Sequence, residues 1–502
     1  MNLVHDMIPV SLRDIKQGYR GLKKIAQKNV KEGDYYNGMV FIARCTMVAS
    51  QFNWIYADDE LEELLDTIAK SKIDLSFASN YEPDENHWVF FDDYCTSYVL
   101  ALQWMRALSK FGKKIMYITA RTTLNNPQFS NVLDVIKKIP NVTVEVVPSV
   151  STFERANHLF RLITGFNASK LFLHKAMYSI IQLPLCVLPE KMKVYNINLG
   201  DQFFWLGRNN IDYNIEFRPF GASVSLQKRG FRKEQLLMVP FYPIDDGNSF
   251  EGFPEGCQGK TVIFSGGDYY KTFEEKGTYW RLVKSVLDKH PDVVFLFATK
   301  RDNKDYSDMA KFVADNHFEG RFIHSEFRKD IYQVFAHCDI YMGTTPVSGS
   351  LMSQLAAING KPILQYYAPG TPDDETEQAL CVNDKFQISY HLEKEFLDEA
   401  DKLINDAEYR KKQGQRLKNA MIQPDQFDEL VRKTLSANES QFPLDAKPID
   451  NKILEKRWLV LEKVGLTQVK QYLYSTLGKT NCLRYAPGLY IKIRANRIWK
   501  KA

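Results

Sequence analysis

Cysteine is scarce and scattered. The seven in 502 residues, at positions 45, 95, 186, 257, 338, 381 and 482, are odd in number and include no C-x-x-C pair. That excludes a disulfide framework and offers no zinc-binding pattern, so reduced thiols and no metal are expected. Long apolar runs are missing too. No stretch of about 18 apolar residues occurs, and even "MYSIIQLPLCVLP" is broken by Gln182 and two prolines. The start, "MNLVHDMIPVSLRDIKQGYRGLKKIAQK", lacks the continuous apolar centre of a signal peptide, which predicts a cytoplasmic protein. Net charge is small, +5, and gives no ground for a nucleic-acid partner. No repeat of solenoid period is visible.

What is present reads as an ordinary globular chain, 44% hydrophobic and 25% charged, long enough for two cores. Residues 1–80 carry helical periodicity, as in "DDELEELLDTIAKS" with acids in its first turn, and form a lead-in. From "HWVFFDD" to "ASKLFLHK" short apolar runs alternate with helical stretches, which predicts βαβ units and a parallel sheet over 81–240. Residues 241–260, rich in Pro, Gly and acids, read as a linker. A second alternating series fills 261–425, and a helical, basic tail occupies 426–502. The predicted fold is α/β, two Rossmann-like domains facing across a cleft lined by loops at the carboxyl ends of the strands, where nucleotides and other phosphorylated ligands bind.

Within "YMGTTPVSGSLMSQLAAINGKPILQYY", residues 341–367, a strand passes through a small polar turn into a helix. The amides of Gly349, Ser350 and Leu351 at such a helix start have no intrahelical partner and form an anion site. The same turn is equally an ordinary one capped by Ser348. "FSGGDYYK", residues 264–271, follows the first strand of the second domain: Gly266 and Gly267 leave room for a ligand, and Lys271 supplies a compact charge. Together the two loops suggest a diphosphate clamp without metal.

These stretches, with "GRFIHSEFRKDIYQVFAHCDIYMGTT" and "EYRKKQGQRLKNAM", resemble the C-terminal half of GT-B glycosyltransferases, most of all the O-GlcNAc transferase type and its bacterial relatives. The likeness covers roughly 260–425, and 85–240 more faintly. It implies that Lys271 meets the diphosphate of a nucleotide sugar, a UDP-sugar by analogy, and that no other cofactor is needed. It makes Gly349, Ser350, Leu351 and Met352 the turn holding the phosphates, and Ser325, Phe327 and Arg328 the loop beside the base. Where such enzymes often place a ribose-binding acid, this chain has Leu355, with Gln354 adjacent as a substitute. Retaining relatives of glycogen synthase carry glutamates before and on this helix. Thr344–Gly360 contains no acid, which favours an inverting transferase.

Such a transferase needs a base for the acceptor hydroxyl. Asp92 and Asp93 end the strand "HWVFFDD", where adjacent carboxylates exposed to the cleft raise each other's pKa; the alternative is that one caps the next helix near Thr96 or Ser97 and the other is solvated. His87 and His174 are weaker candidates. "NLGDQFFWLGRNNIDYNIEFRPFG" offers Asp201, Trp205, Arg208 and Asp212 to an acceptor sugar, or else is a buried aromatic core. The tail "LRYAPGLYIKIRANRIWKKA" carries Arg484, Lys492, Arg494, Arg497, Lys500 and Lys501. It reads either as a peripheral membrane contact or as a packed helix with its basic face in water. The expected activity is transfer of a sugar to a glycan, lipid-linked or protein acceptor. The rivals are a GT-B-like sugar-nucleotide epimerase and a silent module that binds a glycan or a partner transferase.

Overall fold

The computed structural model describes residues 10–52, 54–93, 98–120, 127–245, 247–272, 277–299, 303–369, 375–380, 387–451 and 472–499. Thr96, Ser97, Lys500 and Lys501 lie outside the described residues. The chain divides into two compact units. The first holds the described residues up to Val239 together with 427–451 and 472–499, and the second is Pro240–Gln426.

Three helices open the first unit: α1 (Leu12–Lys31), α2 (Tyr35–Phe52) and α3 (Asp59–Lys72). Ser11 and Asp14 start α1 as a reciprocal capping box, and Asp58 caps α3 by accepting from the Leu61 amide. Then alternate β1 (Asp84–Asp92), α4 (Tyr98–Ser109), β2 (Lys114–Thr119), α5 (Pro127–Ile136), β3 (Val142–Val146), α6 (Thr152–Gly165), β4 (Ala168–His174), α7 (Gln182–Leu185), β5 (Lys193–Ile197), β6 (Tyr213–Glu216), α8 (Pro219–Lys228) and β7 (Leu236–Met238). All seven strands are parallel, in the order β3-β2-β1-β4-β5-β6-β7. Register places Tyr117, Phe90, Phe172, Tyr195 and Tyr213 side by side on one face, a ladder of stacked and adjacent rings that pins five strands together. The opposite face buries Val89, Phe91, Ile118, Leu171 and Leu173.

The second unit repeats the plan with β8 (Thr261–Gly266), α9 (Thr278–Lys289), β9 (Val293–Ala298), α10 (Asn303–Asn316), β10 (Phe322–Ser325), α11 (Ile331–His337), β11 (Ile340–Met342), α12 (Ser350–Ile358), β12 (Ile363–Tyr366), α13 (Glu375–Leu380), β13 (Ser389–Tyr390), α14 (Glu393–Asn405) and α15 (Ala407–Ala420). Its six parallel strands run β10-β9-β8-β11-β12-β13. Both sheets are the doubly wound kind that the alternating pattern predicts.

The tail packs as a helix on the first unit. A helical stretch over 472–485 and the terminal helix Pro487–Trp499 pack into the core of α1 and α2, burying Leu473, Leu477, Leu489 and Ile493 beside Ile15, Leu22 and Ala26. Lys492 Nζ lies 2.6 Å from Asp14, the buried acid of the α1 cap. Gly21 is required by this contact, since a Cβ there would stand 2.6 Å from Tyr485 Cβ. Among the described residues no helix is long and apolar enough to cross a membrane. Leu489 is fully buried, so we expect Leu489→Ala to destabilise the first unit by about 2–5 kcal/mol, read from chemical unfolding. An unchanged unfolding midpoint would show that the tail contributes nothing to this core.

Candidate functional site

In a doubly wound sheet the loops diverge where strand order reverses, and the crevice left there is where ligands sit. In the second unit that point lies between β8 and β11, and the sequence delivers both suspected loops to it. Gly266 ends β8 so close to β9 that a Cβ would come 2.7 Å from the Ala298 carbonyl. Gly267 follows at φ 135°, a conformation that favours glycine, and turns the chain toward Lys271. From β11, Thr344 donates to the Val347 carbonyl at 2.6 Å, and the Val347 amide donates to the Lys271 carbonyl at 3.3 Å, joining the two loops. Gly349, not Ser348, is the N-cap of α12, and no side chain caps the helix.

Lys271 Nζ is thereby placed 3.9 Å from where a Gly267 Cβ would be and 3.8 Å from where a Gly349 Cβ would be. Burial holds its pKa below the ordinary lysine value, with the charge of Asp268 opposing. Among the described residues the ammonium has neither a hydrogen-bond acceptor nor an ion pair. Leu351 is exposed and Met352 half-buried in the same turn. The other donor-side candidates scatter. Ser325 ends β10, two strands away, and Phe327 is 58% exposed. Arg328 grips Asp330 with both arms at 2.7 and 2.6 Å and donates to the Gly252 carbonyl at 2.9 Å, fastening the linker. Gln354 is buried and reaches the Phe241 carbonyl at 3.5 Å, and Leu355 is buried beside it. Neither is presented to a ribose.

The first unit reverses strand order between β1 and β4. Asp92 and His174 are register partners there, and Asp92 Oδ1 lies 2.7 Å from His174 Nδ1. Tyr117 donates to the other carboxylate oxygen. Asp93 accepts from the Ala176 amide at 2.8 Å and from the Ser179 hydroxyl. Burial raises its pKa and the Asp92 charge adds to the rise. The expectation of two exposed aspartates is therefore corrected. Asp92 is fully buried, because the strand-end side chain folds back against β2 and β4 instead of out of the sheet. Lys175, missed by sequence reasoning, follows His174. It donates to the Leu206 carbonyl at 3.0 Å and lies 4.3 Å over the Trp205 ring. Burial lowers its pKa to about 8, with Glu62 and Asp93 opposing.

The segment offered to an acceptor sugar takes the other reading, a buried core. Trp205 is 3% exposed, and Asp201 forms a buried two-armed ion pair with Arg218 at 2.6 and 3.0 Å. Arg208 binds the Arg229 carbonyl and Asp59. Asp212 pairs with Lys193 and the Val194 amide before β6, and His87 bonds the Phe166 carbonyl in the first half of β1. Both stand on the amino side of the sheet, away from the strand ends.

A second group that sequence reasoning missed is Glu216, the last residue of β6. It accepts from Asn198 at 3.0 Å and from Asn214 and Ser225 at 2.5 Å. Burial pushes its pKa up to about 7, against the pull of Arg229. Its one sequence signal was an acid at the end of the strand pattern "YNIE". An unfolded glutamate titrates near its ordinary value, so between there and about 7 the folded chain holds the extra proton. Stability must then fall as pH rises through that window, by up to about 1.4 kcal/mol per pH unit for this group. Asp93 and Glu62, both also raised by burial, act in the same direction. We expect Glu216→Gln to flatten the fall without removing it, measured as unfolding midpoints from pH 5 to pH 8; a slope equal to that of the parent would show that Glu216 is ionised throughout.

Among the described residues no three His, Cys, Asp or Glu side chains are grouped to hold a metal ion. No protein-family model matches the chain, and no curated protein matches it. Solved structures do. A proposed UDP-N-acetylglucosamine 2-epimerase from Listeria monocytogenes aligns over 73% of this chain and 100% of its own, at 10% identity and a TM-score of 0.51. HepE from Anabaena, in complex with UDP and glucose, aligns over 70% and 99% at 14% identity with a TM-score of 0.48. A variant of the Thermobaculum terrenum O-GlcNAc transferase aligns over 88% and 85% at 11% identity with a TM-score of 0.47. At such identities likeness speaks for the fold alone. Two parallel Rossmann-like sheets of seven and six strands, preceded by helices, give this chain the GT-B fold that the resemblance implies.

Proposed function

We propose that the chain is a glycosyltransferase that takes a hexosyl or N-acetylhexosaminyl group from a nucleoside diphosphate sugar, a UDP-sugar in the first instance, and passes it to a glycan or glycoconjugate with inversion. The observation that carries the reading is Lys271. A largely desolvated ammonium, offset only by the charge of Asp268 among the described residues, and the start of α12 converge on one space. Two positive features this close are mutually unfavourable until an anion enters. A diphosphate fits that demand, with the lysine as point charge and the α12 amides as donors.

On this reading the acceptor hydroxyl loses its proton at the carboxyl edge of the first sheet. Asp92 holds His174 through Nδ1 and fixes its orientation, and because both side chains are buried the imidazole takes the proton only once its Nε2 edge opens to the acceptor. Asp93 is the alternative base. The likeness to the Listeria protein favours a second reading, epimerisation of a UDP-sugar, in which no acceptor is needed.

Titration calorimetry with UDP and with uridine tests the clamp. Lys271→Ala should weaken UDP by an amount on the order of 1.5–3 kcal/mol and leave uridine nearly unchanged; equal losses would make the lysine structural. Turnover tests the base. Asp92→Asn and His174→Gln should each slow transfer by about 10²–10⁴-fold while UDP affinity holds, with an inverted product. If both keep full rate and Asp93→Asn does not, Asp93 is the base; a retained product rejects inversion. Formation of the C2 epimer from UDP-N-acetylglucosamine alone would select the epimerase.

A further inference from the structure

The outer face of α1 is basic along its whole length. Arg13, Arg20, Lys24 and Lys31 recur at helical spacing opposite the buried stripe of Ile15, Tyr19, Leu22, Ala26 and Val30. The C-terminal helices, more than 450 residues later in the chain, dock along the flank of this stripe and add to it. Their exposed positions include Leu483, Arg484, Pro487, Ile491 and Arg494, of which Pro487, Ile491 and Arg494 fall on one helical face. Lys24 and Arg484 approach the same ring, Tyr485, at 5.9 and 5.2 Å. A cavity of about 410 Å³, lined among others by Gln17, Arg20, Lys24, Tyr485 and Pro487, spans the junction. Glu60 also lines it, but that carboxylate is already paired with Lys23 and Gln27.

We propose that this joint surface of α1 and the C-terminal helices docks the protein on an anionic phospholipid bilayer. Among the described residues Arg13, Arg20, Lys24, Arg484 and Arg494 make no ion pair, so their charge is available to headgroup phosphates. The cationic face is not purely polar: Leu483 and Ile491 are 52% and 60% exposed beside Arg484 and Arg494. Apolar side chains set among arginines suit the boundary between headgroups and acyl chains. They have no use against a phosphodiester backbone, which is why the bilayer is preferred to a nucleic acid. The surface does not depend on the sugar-transfer reading, and its test uses no nucleotide.

The full chain is sedimented with phosphatidylcholine vesicles, with and without phosphatidylglycerol. Binding is expected only to the anionic vesicles and is released by salt, because attraction at a surface is screened beyond about 10 Å at 0.1 M. Each neutralised cation should weaken partitioning about fivefold, so the pair Arg20→Gln with Lys24→Gln, and separately Arg484→Gln with Arg494→Gln, should each cost about 30-fold. Leu483→Ser with Ile491→Ser should weaken binding and leave its salt dependence unchanged. All these side chains are exposed, so melting temperatures should match the parent; a variant that melts early is replaced by Arg13→Gln, which lies at the start of the stripe. Three results overturn the proposal: no binding to anionic vesicles at low salt, an α1 pair that binds as tightly as the parent, or loss of duplex RNA binding in both pairs while vesicle binding is untouched.

Discussion

Two positive features share one space at the carboxyl edge of the second sheet, and among the described residues Lys271 forms no ion pair there, with only the charge of Asp268 acting on it. The first turn of α12 presents about half a unit of positive charge. Lys271 brings a full one, and burial has already pushed its pKa down. Elsewhere this chain pairs such cations directly, where Asp330 receives Arg328 and Asp201 receives Arg218. The fold even builds toward the conflict. Glycines at 266 and 267 let the lysine loop pass close to β9, and the Val347 amide ties that loop to the start of α12. Residual unbalanced charge held by backbone geometry is the expected form of a site waiting for an anion.

The first unit resolves its charges in the opposite way. Asp92 has His174 and Tyr117, Asp93 has Ser179 and a backbone amide, and Glu62 accepts from the amides of Gly207 and Arg208. Glu62 comes from α3, so the helical lead-in closes the network that the sheet begins. Satisfied buried networks of this kind hold their members in one geometry, because every alternative leaves a polar group unpaired in a low dielectric. A histidine aligned by a buried aspartate is a product of that rigidity. The same density of ionisable groups explains why Glu216 and Asp93 keep raised pKa values and Lys175 a lowered one.

Much of the fold was legible because period and order are local signals. Alternating strands and helices gave both parallel sheets, and the residues of the proposed ligand site in the second unit, Gly267, Lys271 and Gly349, lie in short strand-end loops whose position follows from topology alone. The acceptor-side candidates were not legible, for a physical reason. An aspartate at a strand end is equally able to face solvent or to fold back on a neighbouring strand, and which occurs depends on partners far away in sequence. Asp92 meets His174 82 residues later. Trp205 disappears under Lys175 and Arg229, so an aromatic segment that looked available to a sugar is core. Arg328 looked like a ligand residue and holds the linker, since nothing in "HSEFRKD" says that Gly252 will be near.

The ends of the chain show the same limit most clearly. Read alone, the lead-in is a helical segment and the tail a basic one with a solitary use at a membrane. Neither reading contains the other, yet Gly21 lacks a side chain because Tyr485 lies on it, and Asp14 caps α1 while also receiving Lys492. The contact decides what each face becomes. By covering one flank of α1, the C-terminal helices leave its basic stripe as the outward side, and by burying Leu489 and Ile493 they turn Ile491 and Arg494 outward beside it. Charge that would otherwise be spread over two unrelated segments is concentrated on one surface, which is a property of the packing and not of either sequence.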